Sequence, residues 1–196
     1  TPDFPATLHA DVAGVVTEVG EGVDHLRVGD EVWGCAGGFK GLPSGALAEY
    51  MLTDAQLVTQ KPKNLDFAEA AALPLVSLTA WFALADRAAV QAGQSLLVHA
   101  GAGGVGHVAI QIAKHLGATV HTTVSSADKA EIARSLGADE IILYRDLSVA
   151  DYVAQYAGGK GYDVVFDTVG GANLDASFEA ARFGGTVVNI AARSTH

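Results

Sequence analysis

The sequence has one cysteine, Cys35, in 196 residues. A single thiol excludes an intramolecular disulfide and a cysteine-rich zinc site. It fits a reducing, cytoplasmic compartment. Basic residues are scarce too: 12 Lys and Arg against 22 Asp and Glu give a net charge of −10. That balance argues against nucleic acid or an anionic membrane as partner. No apolar run reaches the roughly 18 residues of a membrane-spanning helix. The opening Thr-Pro-Asp-Phe-Pro has neither an initiator Met nor the pattern of a signal peptide. It is therefore read as something other than a natural N-terminus. Repeats and low-complexity tracts are absent. Apolar residues are plentiful, at 49%, enough for a substantial core.

The most informative stretch is Ser95 to Gly117. Ser95-Leu96-Leu97-Val98-His99-Ala100 is a short apolar run that reads as a buried strand. Gly101-Ala102-Gly103-Gly104-Val105-Gly106 follows and fits G-x-G-x-x-G. Val105, Val108, Ala109, Ile112, Ala113 and Leu116 then recur at helical spacing, and Gly117 stands at a C-cap position. A glycine turn between strand and helix lets a pyrophosphate approach the backbone and meet the first N–H groups of the helix. Gly101, Gly103, Gly104, Val105 and Gly106 are accordingly the expected dinucleotide-binding residues.

Residues 1–65 read as a β domain. Strands are expected at Val12–Val19, Glu31–Trp33, Ala46–Leu52 and Leu57–Thr59, with a Gly-rich loop from Gly34 to Gly45. A small, curved sheet or barrel follows from these. Asp66 can cap a short helix, Phe67 to Leu73, and Pro74 opens a longer one through about Ala89. In residues 66–196 strands then alternate with helices. The strands are expected at 95–100, 119–124, 140–143, 163–167 and 186–190. The helices between them cover roughly 127–136, 149–157 and 173–182. That order implies a doubly wound parallel α/β sheet of the Rossmann kind. A sixth strand would be usual, and five leave an open edge, so the chain is read as lacking both ends.

These pieces resemble the medium-chain dehydrogenase/reductase superfamily, in its zinc-free quinone oxidoreductase (zeta-crystallin-like) branch. The resemblance is carried by Asp11-Val12-Ala13-Gly14-Val15-Val16 with Val19-Gly20, and by Val28-Gly29-Asp30-Glu31-Val32. Gly45-Ala46-Leu47-Ala48-Glu49-Tyr50, Thr79-Ala80, Ala102 to Gly106 and Phe166 to Gly171 continue it in the same order. It implies a GroES-like β domain before the Rossmann domain, with the active site between them. It implies no catalytic zinc. His9-Ala10-Asp11 puts Ala10 where zinc alcohol dehydrogenases have a ligand, and Leu75 stands where another ligand belongs.

The resemblance also bears on the cofactor. NAD enzymes place an acid after the second strand, nineteen residues beyond the third glycine. Here that residue is Ser125, and no acid occurs from Thr119 to Ala127. Lys129 matches the family's phosphate-binding lysine, and Tyr144 its tyrosine near the adenosine. NADPH is expected over NADH. Plainer readings stand beside this: Ser125 or Ser126 as an N-cap, Lys129 as a solvated charge, and Asp128 as a ribose ligand.

Other candidates stand beside these, Thr79 and Tyr50 from the same likeness and the rest from their place in the sequence. Thr79 either approaches the nicotinamide or bonds its own helix backbone. Asn189, at a strand end, could touch the cofactor. Tyr50 is a weak candidate proton donor and otherwise structural. Cys35 has no basic neighbour in sequence to activate it. His99 is expected to pack beside the cofactor, Asp167 to act structurally, and His107 and His115 to be solvated. The function expected is hydride transfer from NADPH to a quinone or other electron-poor acceptor. The alternatives are an enoyl or 2-alkenal reductase, an alcohol dehydrogenase-like enzyme, and a non-catalytic NADPH-binding sensor. The partner is a small-molecule acceptor, with a homodimer possible in the full-length protein.

Overall fold

The computed structural model describes residues 6–38 and 44–191. The opening five residues, 39–43 of the expected Gly-rich loop, and the last five residues lie outside the described residues. The chain divides into two compact units, Thr1–Val76 and Ser77–His196.

The first unit holds a three-stranded antiparallel sheet in the order β1-β2-β3: β1 is Asp11–Val15, β2 Glu31–Cys35 and β3 Thr59–Gln60. The β1 pairing continues one residue further, because Val16 N–H donates to Asp30 O (2.9 Å) and Val16 O accepts from Gly29 (2.8 Å). Leu26, Val32, Ala36 and Val58 form its core. The expected strand at Leu57–Thr59 is a 3-10 turn, Ala55–Leu57, leading into β3. Asp54 shapes that turn by accepting from the Gln56 N–H.

Ala46–Leu52, expected as a strand, is irregular. Its backbone groups find other partners. Ala46 and Leu47 N–H groups donate to the carbonyls of His9 and Leu8, and the Ser44 hydroxyl bonds both N–H and C=O of Leu52. The apolar residues of the stretch are exposed, as at Leu47 and Leu52, so no sheet face fixes its register.

Helix α1, Phe67–Ala71, begins with the expected Asp66 cap, completed by Glu69 into a capping box. It packs on β1 and belongs to the first unit, which runs to Val76. Helix α2, Pro74–Trp81, continues as a π-helical turn, Phe82–Arg87, rather than as a regular helix to Ala89. Ala88 N–H then donates to Ala83 O, five residues back.

Cys35 lies on β2 opposite Asp11. Burial and the bond to the Asp11 carboxylate push its thiol up to about 11. With so little thiolate, Cys35 is expected to react roughly a hundredfold more slowly than an ordinary thiol with a disulfide reagent at pH 8. A fast reaction of the native protein would contradict this placement.

The second unit is one parallel sheet of five strands in the order β6-β5-β4-β7-β8. These strands are β4 Ser95–His99, β5 Thr119–Val124, β6 Glu140–Leu143, β7 Tyr162–Asp167 and β8 Ala181–Asn189. β4 is central, and Leu96, Leu97 and Val98 are fully buried. Right-handed crossovers put α3 (Gly104–His115) and α4 (Ala127–Ser135) on one face. They put α5 (Val149–Tyr156) and α6 (Asn173–Ala180) on the other. On the α5–α6 face Leu97, Ile142, Tyr152, Tyr162, Val165 and Ala180 form a core. Helix α3 buries Ile110 completely as well as the expected Val108, Ala109 and Ala113, a wider face than its periodicity suggested. Strand β8 starts earlier than expected, at Ala181, through a bulge between its pairings with Tyr162 and Val164. Hydrogen bonds and ion pairs tie the N-terminal strand ends: Asp163 accepts from the Ser95 N–H and pairs with Arg182, and Lys114 pairs with Asp139. No helix among the described residues is long and apolar enough to cross a membrane.

Candidate dinucleotide site

All five parallel strands run in one direction, so their carboxyl ends line up along one edge. Open sheets of this order bind ligands there, where the connections from the central strand diverge to opposite faces. A cavity of about 260 Å³ lies at this edge. Its walls come from four adjacent strand ends. Ala100, Ala102 and Gly103 follow β4. Thr123, Val124, Ser125 and Lys129 end β5 and open α4. Tyr144 follows β6, and Val169 and Asn173 follow β7.

The turn after β4 is built without side chains for a steric reason. A Cβ on Gly106 would overlap the Ala100 carbonyl oxygen and come within 2.8 Å of the Gly101 Cα. A Cβ on Gly101 would overlap Thr122 Oγ1 and meet Ile110 Cδ1 at 2.9 Å. Ala100 takes a positive φ of 58°, unusual for a residue with a Cβ. Gly103 N–H donates to Ala100 O (2.8 Å), closing the turn. Gly103 is also the N-cap of α3 and offers no side chain to its first N–H groups. Those of Gly104, Val105 and Gly106 are therefore left for an anion. The cradle fits a pyrophosphate.

Around Lys129 the sequence alternatives separate. Ser126, not Ser125, caps α4 through the Lys129 N–H. The Ser125 side chain is not consumed by the cap, and Ser125 lines the cavity with Lys129 and Tyr144. Asp128, the rival ribose ligand, is in the first turn of α4 but does not line the cavity. The lining holds one cation and no carboxylate.

Thr79 is on α2, half-buried, and Asn189 ends β8 exposed; neither lines this cavity. Tyr50 is in the first unit, largely exposed, on the wall of a separate and larger cavity of about 510 Å³. That cavity is lined mainly by β1 and the segment 46–53. It has no glycine cradle and no cation, so the strand-end cavity is the better nucleotide site.

Behind the lining are two buried polar groups. His99 Nδ1 is 3.1 Å from Thr123 Oγ1, and Thr168 Oγ1 donates to His99 O (2.7 Å). Burial lowers the His99 pKa to about 4, against the pull of Asp167. Its unfolded value is near 6.5, so the unfolded chain takes up the proton first as pH falls. The contribution of His99 to stability is complete above pH 6.5 and is lost between there and about pH 4. The loss amounts to about 3 kcal/mol. A His99→Gln variant is expected to show a shallower fall in unfolding free energy over that range. Parallel pH profiles of variant and wild type would contradict it.

Asp167, fully buried, was expected to be structural and has four donors. It accepts from Val169 N–H and Gly170 N–H (both 2.9 Å), Asn173 Nδ2 (3.0 Å) and Ser177 Oγ (3.0 Å). Asn173 escaped the sequence reading, and Val169 entered it only within the Phe166–Gly171 motif, not as a site residue. The only signal was the polar spacing Asp167, Asn173, Ser177 around the start of α6.

Zinc does not fit. Among the described residues no group of three His, Cys, Asp or Glu side chains could hold a metal ion.

Comparison with known proteins agrees with this geometry. An alcohol dehydrogenase GroES-like domain model matches residues 1–63, and a zinc-binding dehydrogenase model matches 104–196. The solved structure of an alcohol dehydrogenase superfamily protein from Novosphingobium aromaticivorans is 47% identical with a TM-score of 0.92, over 98% of this chain and 57% of that one. Quinone oxidoreductase from Escherichia coli, solved with NADPH, is 33% identical with a TM-score of 0.87, over 96% of this chain and 56% of that one. A 2-haloacrylate reductase from Burkholderia sp. is 39% identical over 91% of this chain and 53% of the reductase. The chain thus spans about half the length of these relatives. A glycine cradle at the edge of a β6-β5-β4-β7-β8 sheet, two matching domain models in order and these likenesses make the chain a member of the medium-chain dehydrogenase/reductase superfamily of oxidoreductases.

Proposed function

We propose that this protein binds NADPH at the strand-end cavity and reduces a quinone or another electron-poor acceptor without zinc. The observation that carries the reading is the lining itself. A side-chain-free turn at one end is joined to Ser125, Lys129 and Tyr144 at the other, with no carboxylate between. The turn and the first N–H groups of α3 would hold the pyrophosphate. The Lys129 ammonium and the Ser125 hydroxyl would hold the 2′-phosphate, where a carboxylate would repel it. Bound there, the reduced nicotinamide supplies the hydride. The chain supplies orientation, and His99, kept uncharged at pH 7, adds no cation behind the cradle. The NADPH complex of the Escherichia coli relative supports the cofactor choice.

A second acceptor class is favoured by the likeness to 2-haloacrylate reductase, whose name denotes a substrate with an activated double bond. The two are separated by following NADPH oxidation with a quinone and with an α,β-unsaturated carbonyl compound. Turnover with either supports the reductase reading and names the class. Tight NADPH binding with turnover of neither would favour a nucleotide-binding sensor instead.

A further inference from the structure

Pyrophosphate and 2′-phosphate occupy the β4 and β5 sides of the cavity in the reading above, on which this inference rests. The wall that remains is formed by Val169 and Asn173 at the end of β7, with Tyr144 across from them. A nucleotide held at its 5′ and 2′ positions by the other two sides must turn its base toward this wall. Val169 and Tyr144 are each about half exposed, at 52% and 50%, and offer apolar surface to a flat ring. Asn173 is the one uncharged side chain there that carries hydrogen-bonding groups on an amide.

The Asn173 amide is not free to choose its face. A carboxylate only accepts, so the amide must turn its NH₂ group toward Asp167, as the 3.0 Å Nδ2–Oδ1 contact shows. Burial alone would raise the Asp167 pKa. The Gly170 and Val169 N–H groups, with Asn173 and Ser177, outweigh burial and hold it below the ordinary carboxylate range. Asp167 therefore stays an acceptor at neutral pH. Asn173 Oδ1, on the opposite side of a planar amide, is left as an acceptor beside the cavity. No hydrogen bond within the protein engages it among the described residues.

We infer that Asn173, oriented by Asp167, is a specificity residue that accepts a hydrogen bond from the exocyclic amino group of the cofactor's adenine. The chain would then discriminate against a base that presents a carbonyl at that position, because two acceptors would face each other.

The test compares NADPH with its hypoxanthine analogue, in which a carbonyl replaces the adenine amino group, by nicotinamide fluorescence titration of the protein. The wild type is expected to bind NADPH about tenfold more tightly than the analogue. Asn173→Ala is expected to lose that preference, by weakening NADPH and relieving the clash with the analogue, while the other three donors keep Asp167 in place. Equal wild-type affinity for the two dinucleotides would overturn the inference without any variant. So would a preference that survives in Asn173→Ala, or a variant that weakens both dinucleotides equally, the mark of a residue that only shapes the loop. Binding of neither by the wild type would instead overturn the dinucleotide reading, and this inference with it.

Discussion

Gly106→Ala is expected to weaken dinucleotide binding by roughly a hundredfold or more, and to lower the unfolding free energy by about 2 kcal/mol. One methyl group suffices because of where it would go. The added Cβ would overlap Ala100 O and press on Gly101 Cα, both backbone atoms that cannot rotate away. Relief requires the turn to move off α3. Movement takes the N–H groups of Gly104, Val105 and Gly106 away from the anion they would meet together. Gly93 offers a contrast in the same unit, since a Cβ there meets nothing, although its φ of 84° makes substitution strained for another reason. Isothermal titration with NADPH and a thermal melt would check both parts. A Gly106→Ala protein that binds NADPH like the wild type would mean that the turn is not the phosphate cradle.

The second large effect concerns Lys129 and Ser125. Lys129→Ala is expected to weaken NADPH about thirtyfold and to leave NADH within about twofold, because only NADPH carries the 2′-phosphate. Ser125→Asp is expected to go further and invert the preference. It brings a carboxylate where two anions would face each other and where a free ribose hydroxyl would find an acceptor. Among the described residues the Lys129 side chain makes no hydrogen bond or ion pair that its loss would orphan, so its removal should spare the fold. Equal weakening of both cofactors by Lys129→Ala would place the lysine elsewhere than on the 2′-phosphate.

The α/β alternation of the second unit was legible because each element there has a strong local signature. β4 and β7 are continuous apolar runs, and α3 and α4 end in glycines of positive φ, Gly117 and Gly137. The first unit was less legible. Ala46–Leu52 looked like a strand by composition, but its backbone partners, Leu8, His9 and Ser44, are dictated by tertiary approach rather than by local pattern. The π turn at Phe82–Arg87 has no such local signal, since any helix former tolerates one wider turn. In the cavity, Gly103, Ser125, Lys129 and Tyr144 were named from spacing and resemblance. Asn173 was not, because what makes it notable is a buried carboxylate six residues away. Thr79 and Tyr50 came from family likeness and Asn189 from its place at a strand end, and the strand-end cavity does not include them.

The most direct measurement is a pair of titrations of the unmodified protein, one with NADPH and one with NADH, followed by nicotinamide fluorescence at fixed ionic strength. Binding of NADPH at least about tenfold tighter than NADH is the expected result, as charge-assisted bonds to one extra phosphate require. Equal affinity, tighter NADH, or binding of neither would contradict a 2′-phosphate site at Ser125 and Lys129.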